Sequence, residues 1–296
     1  MNQYVIGIIT YTGIMLIAIL GMSVLTGFTG LFSLGHAGFM AIGAYVSAML
    51  VKFCGMPVVV GLLAGTVVSA VIGALVGYPS LRLKGDYFLI LTLGFGESVK
   101  LILENTQELT GGAKGLPDIG GSMPVYVVLI IDVLVLFILA NFIRSKHGRN
   151  CIAVREEETA AETMGINVTN YKMLAMVISC GLCGLSGAML AHYMGYLQPV
   201  MFGSVRSNEL IMTVIMGGMG SLTGSTIAAI VLTPLPEILR IGSAQEWRMV
   251  IYGLVIVLII IFKPSGLLGY RELTPSGVRS VFNKACSFCK KRRQRK

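Results

Sequence analysis

Long apolar runs separated by short polar turns fill most of the chain. About eight runs are distinguishable, each long enough for a helix to cross a hydrocarbon layer of roughly 30 Å. They cover roughly residues 4–26, 28–50, 57–78, 87–105, 123–143, 171–195, 210–240 and 247–263. The pattern predicts an all-α, polytopic membrane helical bundle of about eight to ten hydrophobic segments.

Two of these runs, 28–50 and 210–240, are interrupted by glycine, small polar residues and proline. They predict discontinuous or re-entrant helices, whereas the other six predict plain spanning helices. Segment 27–44 reads GFTGLFSLGHAGFMAIGA, and segment 216–231 reads MGGMGSLTGSTIAAIV. Each has glycine, then Ser-Leu, then a small-residue helix, once in each half of the chain, which is consistent with an internal duplication.

A pair of glycine-interrupted membrane segments indicates a solute path. Unwound backbone leaves N–H and C=O groups that lipid cannot satisfy but a water-lined cavity or a bound solute can. The alternative is close helix packing through small residues, and the two interpretations are compatible. The residues that we expect along the path are Ser33, Gly35, His36, Glu97, Ser221, Thr223 and Gly224.

Few ionisable residues lie inside the apolar runs. Glu97 and Lys100 are three residues apart on one predicted helix face and are expected to pair. Asp132 has no evident linked group for a proton relay, so we expect a structural hydrogen bond or helix contact there. His36 lacks any metal-ligand spacing and is interpreted as a cavity or packing residue.

Charge is scarce and unevenly placed along the chain. Of 296 residues, 55% are hydrophobic and 12% charged, with a mean hydropathy of +0.80, against about a quarter charged in soluble domains. The net charge of +9 comes from residues 263–296, which hold ten lysines and arginines and one acid. Such a tail is interpreted as lying on anionic lipid at the cytoplasmic face, in preference to binding nucleic acid. Its Cys286 and Cys289 lack the further ligands that a metal site needs.

The short loops set the orientation. Residues 144–172 hold five lysines and arginines, whereas 106–122 and 196–209 hold one each, so the first loop is expected in the cytoplasm and the other two outside. The C-terminus is then cytoplasmic. The N-terminus lies inside only if segment 28–50 re-enters without crossing.

Residues 144–172, hereafter the docking segment, form the longest charged stretch between apolar runs. A short helix is expected after the acidic run that ends at Glu158, with Gly165 as its left-handed stop. Ala160, Ala161 and Met164 are predicted to share one small apolar face suited to a groove on another protein. The alternative is an ordinary solvated loop.

Several kinds of chemistry have no motif in the sequence. No phosphate-binding G-x-x-x-x-G-K-[ST] loop occurs, so the chain is not expected to hydrolyse ATP by itself. H-E-x-x-H and G-x-S-x-G motifs are missing as well. We therefore expect no enzyme activity, no cofactor and no metal, and favour a pore or carrier with a docking element.

The sequence resembles the M-type permease subunits of bacterial branched-chain amino-acid ABC importers, the LivM family. The resemblance is carried by GLFSLGHAGFMAIGAY, LRLKGDYFLILTLGFGE, TGGAKGL, GRNCIAVREEETAAETMGINVTNYK, GGMGSLTGS and FKPSGLLG. It implies a transmembrane permease domain over about residues 1–270, followed by a basic cytoplasmic tail over 271–296. It also implies a multi-pass protein of the bacterial cytoplasmic (inner) membrane.

By this resemblance, the docking segment corresponds to the E-A-A-x-x-x-G element that seats in a cleft of the ATPase. Thr159 replaces the family's glutamate, so a neighbouring acid is a candidate to supply its charge. The implied docking residues are Glu157, Glu158, Thr159, Ala160, Ala161, Met164 and Gly165.

The resemblance further implies a second homologous permease, two ATP-binding subunits, an external solute-binding protein and no nucleic acid. The implied cargo is leucine, isoleucine and valine. Related systems carry urea, short amides or other amino acids, and an ion-coupled carrier that works alone is the alternative from another class.

Overall fold

The computed structural model describes residues 3–83 and 85–238, together with the single positions 253, 257 and 266. Every regular element within these residues is helical, apart from one isolated antiparallel bridge between Leu116 and Leu197. Five helices are long and apolar enough to cross a membrane: Gln3–Gly27, His36–Cys54, Val58–Ser80, Val125–Arg144 and Val168–Met194. The predicted all-α membrane bundle is therefore confirmed for the described part of the chain.

Twelve α-helices follow one another in the described residues. Their bounds are α1 Gln3–Met22, α2 His36–Cys54, α3 Val58–Ser80, α4 Asp86–Asn105, α5 Gln107–Thr110, α6 Val125–Arg144, α7 Lys146–Glu156, α8 Glu158–Thr163, α9 Val168–Met194, α10 Ser204–Gly217, α11 Leu222–Leu232 and α12 Leu235–Ile238. A π-helical stretch, Ser23–Gly27, extends α1, and short 3₁₀ turns cover Gly112–Lys114 and Pro199–Phe202. The predicted span 247–263 and the tail 271–296 lie outside the described residues, apart from 253 and 257.

Helix α9 is the centre of the bundle and packs against α1, α2 and α3. Its contact with α2 is made backbone to backbone. A Cβ added at Gly187 would overlap the Met40 carbonyl, and one added at Gly43 would overlap the Gly184 carbonyl. Small residues at these positions let the helices approach closely, as is usual in membrane bundles where apolar side chains gain nothing by leaving lipid.

Local signals explain where the central helices begin and end. The Asn167 side chain accepts a hydrogen bond from the N–H of Asn170 at 3.1 Å and so caps the start of α9. Gly195 ends the same helix with φ of 67°, and Gly55 ends α2 with φ of 63°. This left-handed conformation costs a glycine little, which fits its frequent use as a helix stop.

Both predicted helix breaks are confirmed. The first lies between the end of α1 and the start of α2 at His36, and Gly30 adopts a φ of 72° within it. The second separates α10 from α11, with Gly218 and Gly220 at φ of 112° and 92°. A helix, a glycine break and a second helix thus occur in the same order in each half of the chain, as an internal duplication predicts.

The course of the first two helices answers a question that the loop charges left open. The Tyr193 hydroxyl near the end of α9 donates to the Gly7 carbonyl at 3.0 Å, so α1 begins at the end of the bundle opposite the docking segment. At that same end, Lys52 in the last turn of α2 donates to the Pro117 carbonyl. The region 28–54 therefore passes through the bundle instead of returning to the side from which it entered. The start of α1 lies at the end of the bundle opposite the docking segment.

Candidate functional site

The docking segment contains two short helices, α7 and α8, joined at Glu157 and lying between the end of α6 and the start of α9. The Ser145 side chain accepts a hydrogen bond from the N–H of Gly148 at 3.4 Å at the start of α7. Glu157 has extended backbone and precedes the first turn of α8, where Glu158 lies. The short helix that the acidic residues predicted is therefore present.

Gly165 stops α8 as expected. Its φ is 81°, its N–H donates to the Glu162 carbonyl at 2.9 Å, and the N–H of Ile166 donates to the Ala161 carbonyl at 3.0 Å. This pair of bonds defines a Schellman motif, which satisfies carbonyls that the end of a helix leaves open. Ile166 packs against the cluster that contains Ala161, a contact that frequently accompanies the motif.

The prediction that Ala161 shares an outer face with Ala160 and Met164 is wrong. Ala161 is 4% exposed and packs with Val154 and Val168 in a small cluster between α7, α8 and α9. Ala160 is exposed, and Met164 is 82% exposed. A helix of six residues has one side against the bundle, and the 100° step between adjacent residues places Ala161 there and Ala160 outside.

Each glutamate of the acidic run has a partner within the chain. Glu156 pairs with Arg155, the Glu157 carboxylate accepts a hydrogen bond from the Thr159 hydroxyl at 2.7 Å, and Glu158 pairs with Lys172 at 2.6 Å. Because Lys172 belongs to α9, the last pair ties α8 to the central helix. Which acid substitutes for the glutamate that Thr159 replaces stays a prediction.

Helix α7 is fixed to α9 as well. The Asn150 side chain donates to the Tyr171 hydroxyl at 2.7 Å, and the His147 and Tyr171 rings lie 6.0 Å apart. Cys151 is buried, and burial raises the pKa of its thiol to about 11, so the side chain stays a neutral packing group at neutral pH. The docking segment is thus braced against the core and presents its outer face to solvent.

The predicted path residues of the first break are packed inside the bundle. Ser33 and His36 are 0% exposed, and the His36 Nε2 forms a 2.7 Å hydrogen bond with Ser179 Oγ on α9. A Cβ at Gly35 would overlap the Thr92 carbonyl of α4. These contacts match the packing interpretation, and a role in the solute path stays a prediction.

The second break has its own local pattern. The Ser221 hydroxyl accepts a hydrogen bond from the N–H of Gly224 at 3.1 Å and caps α11, with the half-buried Thr223 hydroxyl 3.2 Å away. A Cβ at Gly224 would overlap the Gly217 carbonyl of α10. Ser221 is therefore a helix cap, and Gly224 is the residue that lets α10 and α11 approach.

The partly exposed Glu97 and the buried Asp132 each contact a neighbouring helix. Glu97 pairs with Lys100 at 3.4 Å, as expected, and its other oxygen accepts the N–H of Ser204 at 2.8 Å in the first turn of α10. A carboxylate at a helix N-terminus satisfies an open N–H and complements the helix dipole. Asp132 is 4% exposed and faces Gly13 where α6 packs on α1.

One cavity lies away from all of these predicted residues. Its volume is about 490 Å³, and α1, the end of α9, α10 and the residues after α11 surround it. Its charged residues are Arg206 and Glu209, which pair at 2.7 Å. The sequence placed Arg206 only in a loop on the external side. Its position in the first turn of α10, facing the cavity, depends on the tertiary fold.

In the part of the chain that the structure describes, no three His, Cys, Asp or Glu side chains are grouped as a metal site would need.

Arg155 is a second residue that the motifs did not single out. Its side chain leaves the docking segment and donates to the Gly27 carbonyl at 2.8 Å. The sequence counted it only as one of several basic residues on a cytoplasmic loop. The signal in the sequence was the spacing: Cys151 lies four residues before Arg155, so the two share one face of α7.

Comparison with protein families gives one match over most of the chain. Residues 4–260 match the family described as "Branched-chain amino acid transport system / permease component". The match spans both helix breaks and the docking segment.

Individual relatives cover the chain to a similar extent. The high-affinity branched-chain amino acid transport system permease protein LivM of Salmonella typhimurium is 35% identical over 89% of this chain and 69% of its own length. The protein of the same name from Escherichia coli K12 is 34% identical over the same shares. The LivH permease of Salmonella typhimurium is 25% identical over 87% of this chain and 92% of its own.

Among solved structures, PsaBC from Streptococcus pneumoniae in complex with Fab gives a TM-score of 0.49 at 14% identity. The alignment covers 89% of this chain and 92% of that one.

Proposed function

This chain belongs to the family of permease components of branched-chain amino acid transport systems, and we propose that it forms the translocation path of an ATP-driven importer for leucine, isoleucine and valine. The LivM and LivH relatives, whose names give branched-chain amino acids as the cargo, support this choice of substrate. The chain itself supplies the membrane path, and separate subunits supply ATP hydrolysis.

The observation that carries the proposal is the shape of the docking segment. Two short helices are braced against α9 by the Glu158–Lys172 pair and the Asn150–Tyr171 hydrogen bond. On the outer side, Met164 is 82% exposed with Ala160 beside it. A rigid helix with a small apolar outer face suits a groove on a partner, and bracing lets a force applied there reach the bundle.

The proposed partners are two ATP-binding subunits, a second homologous permease and an external solute-binding protein. The proposed location is the bacterial inner membrane, with the docking segment and the C-terminus in the cytoplasm. The basic residues 271–296 would then lie on anionic lipid.

In the proposed mechanism, closure of the ATPase pair on ATP moves α7 and α8 together with the helices that they contact. The glycine breaks are the parts of the membrane helices that can change direction without losing helix hydrogen bonds elsewhere. Movement at the breaks would open the path first to one side and then to the other.

Docking is tested by Ala160→Arg and Met164→Glu. Both residues lie on the outer face of α8, so we expect each variant to insert normally but to lose ATPase co-purification and ATP-dependent leucine uptake. Met56→Glu is the matched control, because Met56 is 44% exposed at the opposite end of the bundle. It should retain the ATPase. Normal uptake and co-purification by both α8 variants would refute docking through this face.

A further inference from the structure

We propose that Arg155 is the residue through which the docking segment moves both helix breaks at once. The inference deepens the proposed function and rests on it, since it concerns how ATPase closure reaches the solute path. It assigns a positioning role to a side chain that does not contact the solute.

The first contact of Arg155 is with the break after α1. Its Nη1 donates to the Gly27 carbonyl at 2.8 Å, where the π-helical extension of α1 ends. Carbonyls in the last turn of a helix lack helical partners and carry the negative end of the helix dipole. A guanidinium is therefore well suited to hold this end. The aliphatic part of the side chain lies against Gly30, where an added Cβ would come within 3.1 Å of the Arg155 Cγ.

The second contact is with the break before α11. A Cβ added at Gly220 would overlap the Arg155 Nη1, so the guanidinium lies directly against this glycine. The two breaks also touch each other, because a Cβ at Gly27 would come within 3.2 Å of the Gly220 nitrogen. One side chain of the docking segment thus reaches the junction at which the two halves of the duplication meet.

Arg155 also has contacts within the docking segment. It lies in the last turn of α7, its guanidinium pairs with Glu156, and its side chain is 17% exposed. The neighbouring Val154 is 1% exposed in the cluster that contains Ala161. When a partner displaces α8, the packed cluster moves α7 with it. The Arg155 side chain then carries the movement to Gly27 and Gly220.

Arginine has properties that lysine lacks for this role. A planar guanidinium can donate to a carbonyl and to a carboxylate at the same time through different nitrogens. A lysine ammonium keeps the charge but offers no planar fork. Replacement by lysine should consequently retain part of the coupling, and replacement by glutamine should retain little.

The test measures leucine uptake and ATP hydrolysis in the same proteoliposomes containing the complete transporter with its binding protein. For Arg155→Gln we expect about a tenfold fall in leucine imported per ATP hydrolysed, within the usual range of coupling between sites. Co-purification of the ATPase and its rate of hydrolysis should stay near wild type. Arg155→Lys should fall between the two. Arg149→Gln is the matched control, because Arg149 is exposed on the same helix.

The outcomes separate this inference from the proposed function. A wild-type ratio of uptake to hydrolysis in both Arg155 variants overturns the link, as does loss of the bound ATPase, which would place Arg155 in assembly. If Arg155→Gln does not insert, the Lys variant decides, because a wild-type ratio in it overturns the proposal. Absence of ATP-dependent uptake in the wild-type complex would instead refute the proposed function.

Discussion

At the scale of single residues, two polar side chains of the membrane segments hold the ends of helices. Ser221 caps α11, and Glu97 binds the first turn of α10 through the N–H of Ser204. A solute path and a structural cap use the same residue types, because both satisfy open backbone groups inside the membrane. The two roles are separable by experiment.

Substitutions at Glu97 distinguish a role in the solute path from a role as a helix cap. Glu97→Leu removes the acceptor of the Ser204 N–H and should destabilise the chain by about 1 kcal/mol, as loss of a helix cap does. Glu97→Gln keeps an acceptor and should cost less. Thermal unfolding in detergent and leucine uptake per folded transporter are the two measurements. If Glu97→Leu lost uptake while keeping its melting temperature, Glu97 would belong to the path.

The sequence predicted the features of the docking segment that depend on neighbouring residues. It did not predict those that depend on contacts between distant parts of the chain. The stop at Gly165 was predictable because a left-handed C-cap is a local property of the chain. The inward position of Ala161 depends on Val168 of α9. Ser204, which donates to Glu97, lies 107 residues away in sequence, and Gly27, which accepts from Arg155, lies 128 residues away. Spacing along the chain carries no information about such contacts.

At the scale of helices, the bundle depends on how closely α9 approaches its neighbours. The length of the apolar runs predicted most helix positions, and glycine with small polar residues predicted both breaks, because both signals act within one helix. The apolar runs could not identify α9 as the central helix. That role follows from which glycines face each other, such as Gly43 and Gly184.

A pair of alanine substitutions tests this packing. Gly187→Ala would place a methyl group onto the Met40 carbonyl and should destabilise the chain by roughly 1–3 kcal/mol, as overpacking does. Gly94→Ala, in α4, has nothing within 4 Å of the added atom and should be neutral or slightly stabilising. Melting temperatures in detergent compare the two variants. Equal melting temperatures would contradict close backbone packing at Gly187.

At the scale of the whole molecule, the two helix breaks meet at the end of the bundle that carries the docking segment. The region 28–54 traverses the bundle, so the turn between α2 and α3 lies at the opposite end. Counting basic residues correctly separated the docking segment from the loop at 106–122, which lies at that opposite end. The same count could not decide whether segment 28–50 crosses the bundle or returns to the side from which it entered. A crossing segment and a returning segment have the same composition.

Labelling from one side of the membrane tests this arrangement. Met56→Cys and Met164→Cys, in a chain whose Cys54, Cys286 and Cys289 are replaced by serine, should react with an impermeant maleimide from opposite sides. Met56→Cys should label in intact cells, and Met164→Cys should label only after permeabilisation. Labelling of both from the same side would contradict the placement of these two positions at opposite ends of the bundle.

The central claim is that this chain is the membrane path of a machine driven by a separate ATPase. Its most direct test is radiolabelled leucine uptake into proteoliposomes containing this chain with its partner permease and ATPases, with the binding protein on the opposite side from ATP. The account predicts uptake that requires ATP and every partner, and that Met164→Glu abolishes. Leucine accumulation by the purified chain alone, driven by an ion gradient without ATP, would contradict it.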